Sequence, residues 1–266
     1  MIICYPDVPK RAIETKASVT YQDGFSYRNL ITGRRYQYGI ATAGASGTIQ
    51  IQFDLGDGTS SGNVRNLIIG DAKRLIDAGA TTFKLDSCSD GIDGTYSNEW
   101  TDASISSATL YGTESKDYFQ IDLGLSSKRC WRFEMTGGSV TERGFSKLFF
   151  GGSVAFSQKP SSYNWEIFSF DSATFISESG DSDIKRTRRS LYRFNISWQG
   201  LTSTDIYSFQ TKVGVNADVD SFYLLTDENH AILNNLRCMH VRLKDFTISR
   251  VFNDWYELDT TWEEEF

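Results

Sequence analysis

The stretch "LYRFNISW", residues 191–198, alternates without a break. Tyr192, Phe194, Ile196 and Trp198 fall on one side, and Leu191, Arg193, Asn195 and Ser197 on the other. A period of two, with one aromatic face and one polar face, describes a half-solvated antiparallel strand and does not suit a helix. Runs of the same kind follow one another along the chain: "GTIQIQFDLG", "TTFKLDSC", "RCWRFEMT", "KLFFGGSVAFS". Gly, Asp, Ser and Asn separate them at the spacing of a β-sandwich or barrel. Composition agrees, with 18 Phe, 13 Tyr and 6 Trp against only 3 Pro, because aromatic side chains fit a pleated, half-buried surface. The expected fold class is all-β.

Two segments depart from the strand pattern. "GDAKRLIDAGATT" places Ala72, Leu75, Ile76 and Gly79 at helical spacing and reads as a short helix or turn leading into the next strand. "GLTSTDIYSFQTKV" has Thr202 or Ser203 in position to cap a second short helix. Around "FSQKPSSYNW" the alternation pauses at Pro160, which divides the chain into domains 1–160 and 161–266. "FDLG" and "IDLG" end two strands alike, Asp54 and Asp122 being placed to accept turn amides while Gly56 and Gly124 take positive φ.

Charge and motifs narrow the function classes. Net charge is −7. The first 160 residues carry 17 basic and 17 acidic side chains and the remainder 10 and 17, so the excess belongs to the second half. Such a balance disfavours nucleic-acid binding, which needs many phosphate contacts. The N-terminus lacks the basic head and apolar run of a signal peptide, and no window approaches the ~20 apolar residues of a membrane span. Cys4, Cys88, Cys130 and Cys238 have no metal-ligand spacing and read as buried free thiols, as folding in a reducing cytoplasm allows. His230 falls in an expected hairpin turn and His240 in a strand, with no HExxH or GxSxG pattern around them. The carboxylates of the 86–100 loop miss the EF-hand register. The expectation is a non-enzymatic protein without cofactor or metal.

A resemblance enters on the order "FDLG" (53–56), "DSCSDG" (86–91), "CWRFEM" (130–135) and "LFFGG" (148–152). Over about residues 40 to 156 the chain resembles the galactose-binding-like, or discoidin-type, jelly roll. The second half, through "RRSLYRFNISWQGLTSTDIYSFQTKV", "SFYLLTDENHAIL" and "MHVRLKDFTISRV", is similar to small β-sandwich or β-barrel domains of tailed-phage tail-tip components. Together they resemble distal tail and baseplate proteins. The resemblance implies a virion structural protein assembled in the host cytoplasm as a homo-oligomeric ring, trimer or hexamer. Its partners would be tail tube and hub proteins, with no membrane insertion. The alternative is a carbohydrate-binding protein that recognises a cell-surface glycan.

Candidate residues follow from each reading. In the 86–100 loop, Tyr96 and Trp100 would offer flat faces to a sugar ring, and Asp90 and Asp93 would accept hydrogen bonds from its hydroxyls. Lys185, Arg186, Arg188 and Arg189 form a basic cluster in an acidic domain, and Glu263, Glu264 and Glu265 form an acidic run near the end. Head-to-tail contact between the two would close a ring and set its register.

Overall fold

A computed structural model describes residues 2–18, 27–30, 39–40, 48–59, 63–70, 75, 77, 79–102, 118–120, 128–137, 144–145, 147–168, 172–176, 182–186, 191–217, 220–225 and 238–264. Contacts group the chain into two compact units, Ile2–Ser153 with Leu224–Cys238, and Val154–Tyr223 with Met239–Glu265.

In the first unit the chain crosses repeatedly between two sheets. It runs through β1 (Ile2–Asp7), helix α1 (Val8–Arg11), β2 (Glu14–Ala17), β3 (Gly39–Ile40), β4 (Thr48–Asp54), β5 (Asn66–Gly70) and β6 (Thr82–Cys88). It continues through β7 (Ser97–Asp102), β8 (Tyr118–Gln120), β9 (Cys130–Thr136), β10 (Gly144–Phe145) and β11 (Lys147–Ala155). One sheet has the order β2-β4-β9-β6-β7, and β1, β11, β5 and β8 are successive neighbours in the other. β3 and β10 form a separate short pair.

Alternate residues of both sheets meet in one core. Ile49, Ile51, Phe53, Phe83, Leu85, Trp131, Phe133 and Met135 come from the first sheet, and Leu67, Ile69, Leu148 and Phe150 from the second. Phe53 and Phe150 make an edge-to-face contact with centroids 5.4 Å apart. This is a jelly-roll sandwich, as the resemblance implied.

Of the helix or turn expected at 70–82, the described residues show the end. Gly70 is the last residue of β5, while Leu75 and Asp77 have helical backbone. Ala80 N–H donates to Leu75 O at 3.0 Å and Gly79 has φ +89°. A bond from the second residue past a helix end, across a left-handed glycine, is a Schellman closure. Gly79 therefore ends the turn rather than sharing its apolar face.

The second unit contains β12 (Ser162–Phe168), β13 (Ser172–Ile176), β14 (Ser182–Arg186), β15 (Leu191–Leu201), helix α2 (Ser203–Lys212), β16 (Phe222–Leu225), β17 (Cys238–Phe252) and β18 (Trp255–Glu264). Its sheet orders β12-β15-β18-β17, all antiparallel, and among the described residues β13 and β14 form a two-stranded sheet. Phe194, Ile196 and Trp198 are buried, whereas Asn195 is exposed, so the alternation of "LYRFNISW" is realised. α2 lies over the apolar side through Ile206 and Phe209, the latter edge-on to Phe246 at 5.3 Å. Thr202 is its N-cap: Thr202 Oγ1 accepts from Asp205 N at 3.2 Å, and Thr202 N donates to Asp205 Oδ2 at 3.0 Å. These reciprocal bonds make a capping box. His240 is packed, its Nε2 2.8 Å from Ser221 Oγ and its ring 4.9 Å from that of Tyr223. His230 lies outside the described residues.

Candidate functional site

The outer face of the five-stranded sheet is polar because its inward positions are taken by the core. Cross-strand register sets Lys16, Gln52, Arg132 and Asp86 in one row. Arg132 Nε and Nη2 donate to Asp86 Oδ2 at 3.0 and 2.7 Å, and Asn98 Nδ2 donates to Asp86 Oδ1 at 2.9 Å. In the next row Glu134 accepts from Gln50 Nε2 at 2.6 Å and from Lys84 Nζ at 3.1 Å.

The β6–β7 connection, residues 89–96, folds across this face. Lys16 Nζ donates to both carboxylate oxygens of Asp93 at 2.8 Å, and Gln52 Nε2 donates to Ile92 O at 3.2 Å. Tyr96 OH donates to Ile92 O at 3.0 Å, and the Arg132 guanidinium sits 4.6 Å from the Tyr96 ring centroid. Burial raises the Tyr96 phenol above its ordinary range, so it stays protonated.

At the end of β4 the first DLG behaves as its sequence implied. Gly56, at φ +90°, donates its N–H to Asp54 Oδ1 at 2.7 Å. The structure adds a partner: Arg129 forks onto Asp54, Nε to Oδ1 at 2.7 Å and Nη2 to Oδ2 at 2.8 Å. Its Nη1 also pairs with Asp57. The Arg129 guanidinium is the main reason that the Asp54 carboxyl is lowered to about 2, against burial. Beside it, burial and then the Asp54 charge push the Cys130 thiol up to about 12. Cys88 and Cys130 are cross-strand partners; both are reduced and buried, as is Cys4. The second DLG, with Asp122 and Gly124, lies outside the described residues.

A cleft of about 290 Å³ opens beside the edge strand β2. Thr15 pairs with Phe53 and therefore lies on the core side of that edge. Tyr27 packs its ring against the core and donates its hydroxyl to Thr15 O at 3.3 Å. Pro9 of α1, together with Ala12 and Ile13, which link α1 to β2, also lines it, and Lys10 and Arg28 complete the lining. Ile13 is 76% exposed, and its backbone is held to the sheet by a 2.8 Å bond from its N–H to Asp54 O.

The sequence-derived site residues are placed as follows. Asp90 and Asp93 are exposed on the 89–96 connection, and Asp93 is held by Lys16. Tyr96 has one ring face under Arg132, and Trp100, in β7, packs against the core. Both residues are half-buried. Of the assembly candidates, Lys185 and Arg186 lie in β14, opposite Ala173 and Ser172. Arg188, Arg189 and Glu265 lie outside the described residues. Glu263 belongs to its own sheet, accepting from Arg193 Nη2 at 2.7 Å and Lys244 Nζ at 3.0 Å. Glu264 is buried. Glu263 and Glu264 are thus the last residues of β18. Sequence reasoning passed over Tyr27, Lys10 and Arg28, because residues 9–15 and 27–28 converge only in the fold; the local signal was a basic pair, Lys10 and Arg11, beside small apolar residues.

The fold and these surfaces define an all-β protein whose first unit is a jelly roll. No family model matches the chain, and no curated protein matches it. Solved structures do match. A Ruminococcus gnavus GH29 fucosidase in complex with fucose is 14% identical, over 56% of this chain and 27% of its own, with TM-score 0.43. The CBM32-1 and CBM32-2 domains of Clostridium perfringens ZmpB in complex with GalNAc are 12% identical, over 56% of this chain and 34% of theirs, with TM-score 0.42. CpGH89 CBM32-5 from Clostridium perfringens, in complex with GalNAc-β-1,3-galactose, is 11% identical, over 55% of this chain and 100% of its own, with TM-score 0.43. The chain thus spans about a quarter of the fucosidase's length.

Proposed function

We propose that the first unit binds carbohydrate without transforming it, and that the cleft beside Tyr27 is its site. The observation that supports this is the make-up of the cleft: Tyr27, Pro9, Ala12 and Ile13 are lined up with side chains able to hydrogen-bond, Lys10, Thr15 and Arg28. A pyranose has the matching surface, an apolar C–H face and a ring of hydroxyls, and small-ligand sites combine these features. Among the described residues the lining includes no carboxylate of the kind that glycoside hydrolases use in pairs. The test is binding of the full chain to a glycan array that includes fucose and GalNAc epitopes. Tyr27→Phe keeps the ring and is expected to keep binding; Tyr27→Ala is expected to abolish it. Unchanged binding by Tyr27→Ala refutes the reading.

A second reading, a homo-oligomeric ring at a phage tail tip, draws support from one feature of the second unit. The β17–β18 hairpin ends in Val251, Phe252 and Trp255, which are 59, 69 and 49% exposed. Apolar groups gathered at a hairpin tip mark an interaction surface. Light scattering across a salt series tests it: a discrete oligomer lost in Phe252→Ser supports assembly, and a monomer at every concentration opposes it.

A further inference from the structure

We propose that Cys88 and Cys130 form a dithiol–disulfide site. On the folded chain a small disulfide oxidant, such as oxidised glutathione, joins them in a cross-strand bridge at the root of the 89–96 connection.

Register places the pair. β6 and β9 run without a shift from Thr82 opposite Thr136 to Cys88 opposite Cys130. Directly opposed residues of an antiparallel pair have Cα atoms about 4.5–5.5 Å apart, within the ~4.4–6.8 Å that disulfides span. Their side chains also project to the same side. Phe83, Leu85, Phe133 and Met135 of this ladder belong to the core, so the two thiols, two or more positions along with Asp86 and Arg132, take the outer face. Both are nevertheless buried, Cys88 at 3% exposure and Cys130 at 0%.

Cys88 is covered by the connection that leaves its own strand. Asp90 N donates to Cys88 Sγ at 3.3 Å, and a Cβ on Gly94 would lie 2.5 Å from that sulfur, so the turn closes directly over it. The cover is held by polar bonds, from Lys16 to Asp93 and from Gln52 and Tyr96 to Ile92 O. A short segment held in this way on a solvated face opens locally at smaller cost than a core strand. The other two cysteines, Cys4 and Cys238, lie in β1 and β17, outside this sheet.

The chemistry is thiol–disulfide exchange. When the connection lifts, the Cys88 thiolate attacks one sulfur of oxidised glutathione. A Cys88–glutathione bond forms, the glutathione S–S bond breaks and one glutathione thiolate leaves. Cys130 then gives its proton to solvent and attacks the Cys88 sulfur, and the second glutathione thiolate leaves as the cross-strand bond forms. Two electrons pass from the protein to glutathione, and both released thiolates take up protons. Cys130 does not begin the sequence, because it is fully buried and its thiol is pushed up to about 12 by burial and by Asp54. Its place opposite Cys88 makes the second step intramolecular, which offsets its small thiolate fraction. The bridge turns Cys88 Sγ towards Cys130 and away from Asp90 N, and so acts on the connection that carries Asp90, Asp93 and Tyr96.

The experiment equilibrates the folded full chain at rising ratios of oxidised to reduced glutathione, quenches with acid, and maps the cysteines by alkylation and peptide mass spectrometry. A Cys88–Cys130 linked peptide is expected, formed at a rate independent of protein concentration. Cys130→Ser is expected to stop at a Cys88–glutathione adduct, and Cys88→Ser to leave Cys130 unmodified. Hydrogen exchange at residues 90–96 is expected to be at least about tenfold faster in the bridged chain than in the reduced one. Absence of the bridge from the wild type at every ratio overturns the proposal. Bridges to Cys4 or Cys238 in its place, or a bridge formed only in urea, do the same. A bridge with unchanged exchange at 90–96 overturns its action on the connection. The wild-type map requires no variant to fold and decides the matter by itself where a serine variant is unstable.

Discussion

Asp54→Asn tests the account of the first unit most sharply, because it removes a charge and almost no volume. The Asp54 side chain is 3% exposed and its carboxyl is lowered from the ordinary 3.8 to about 2, chiefly by Arg129. That preference for the charged form corresponds to about 2.4 kcal/mol. The Arg129 side chain is 26% exposed, and solvent screening brings the expected loss to about 2 kcal/mol. For a unit of this size the loss lowers the melting temperature by about 4–8 °C. The folded pKa lies below the unfolded one, so the contribution is complete above about pH 4 and lost as pH falls through about 2. Thermal unfolding followed by near-UV circular dichroism at several pH values reads both effects. The gap between wild type and Asp54→Asn should be full at pH 7 and close at pH 2. An equal gap at both pH values would show that the loss is one of packing, and that the Arg129 fork contributes little.

Other expectations follow from single contacts. Thr202→Ala removes the acceptor for Asp205 N and should cost about 1 kcal/mol, read as faster hydrogen exchange in the first turn of α2. Asp205→Ala should cost more, because Ser157 N and Oγ, at 3.1 and 2.6 Å, lose their acceptor as well. Gly94→Ala would put a Cβ 2.5 Å from Cys88 Sγ and 3.0 Å from Gly91 O, so the 89–96 connection must lift. Its loss is expected at about 1–3 kcal/mol, with faster proteolysis in that segment. Cys130, pushed up to about 12, should be alkylated at pH 8 at least ~100-fold more slowly in the folded chain than in the unfolded one, as peptide mass spectrometry can measure.

Features carried by local spacing were legible in the sequence. The face of Phe194, Ile196 and Trp198 follows from a period of two, which a sheet with one solvated side enforces. The Thr202 cap and the Asp54–Gly56 exit need only residues two or three apart. The partners of those same residues were not legible. Arg129 meets Asp54 across 75 positions and Asp93 meets Lys16 across 77, distances over which no periodicity carries information. The aromatic residues of the 86–100 loop were recognisable as flat surfaces, but sequence does not tell whether such a surface meets a ligand or its own protein. Trp100 meets the core and Tyr96 meets Arg132. Tyr27 also packs against the core, and "YRN" has no signature of its own: its place beside residues 9–15 appears only in the fold.

Hydrogen exchange of the full chain, with and without a saturating saccharide taken from the glycan array, tests the central claim most directly. The account expects new protection in residues 9–15 and 27–28, and none in Asp90, Asp93 or their neighbours in the 89–96 connection. Protection confined to residues 89–100 would contradict it and return the site to the β6–β7 connection, and a chain that binds no saccharide would remove the carbohydrate reading altogether.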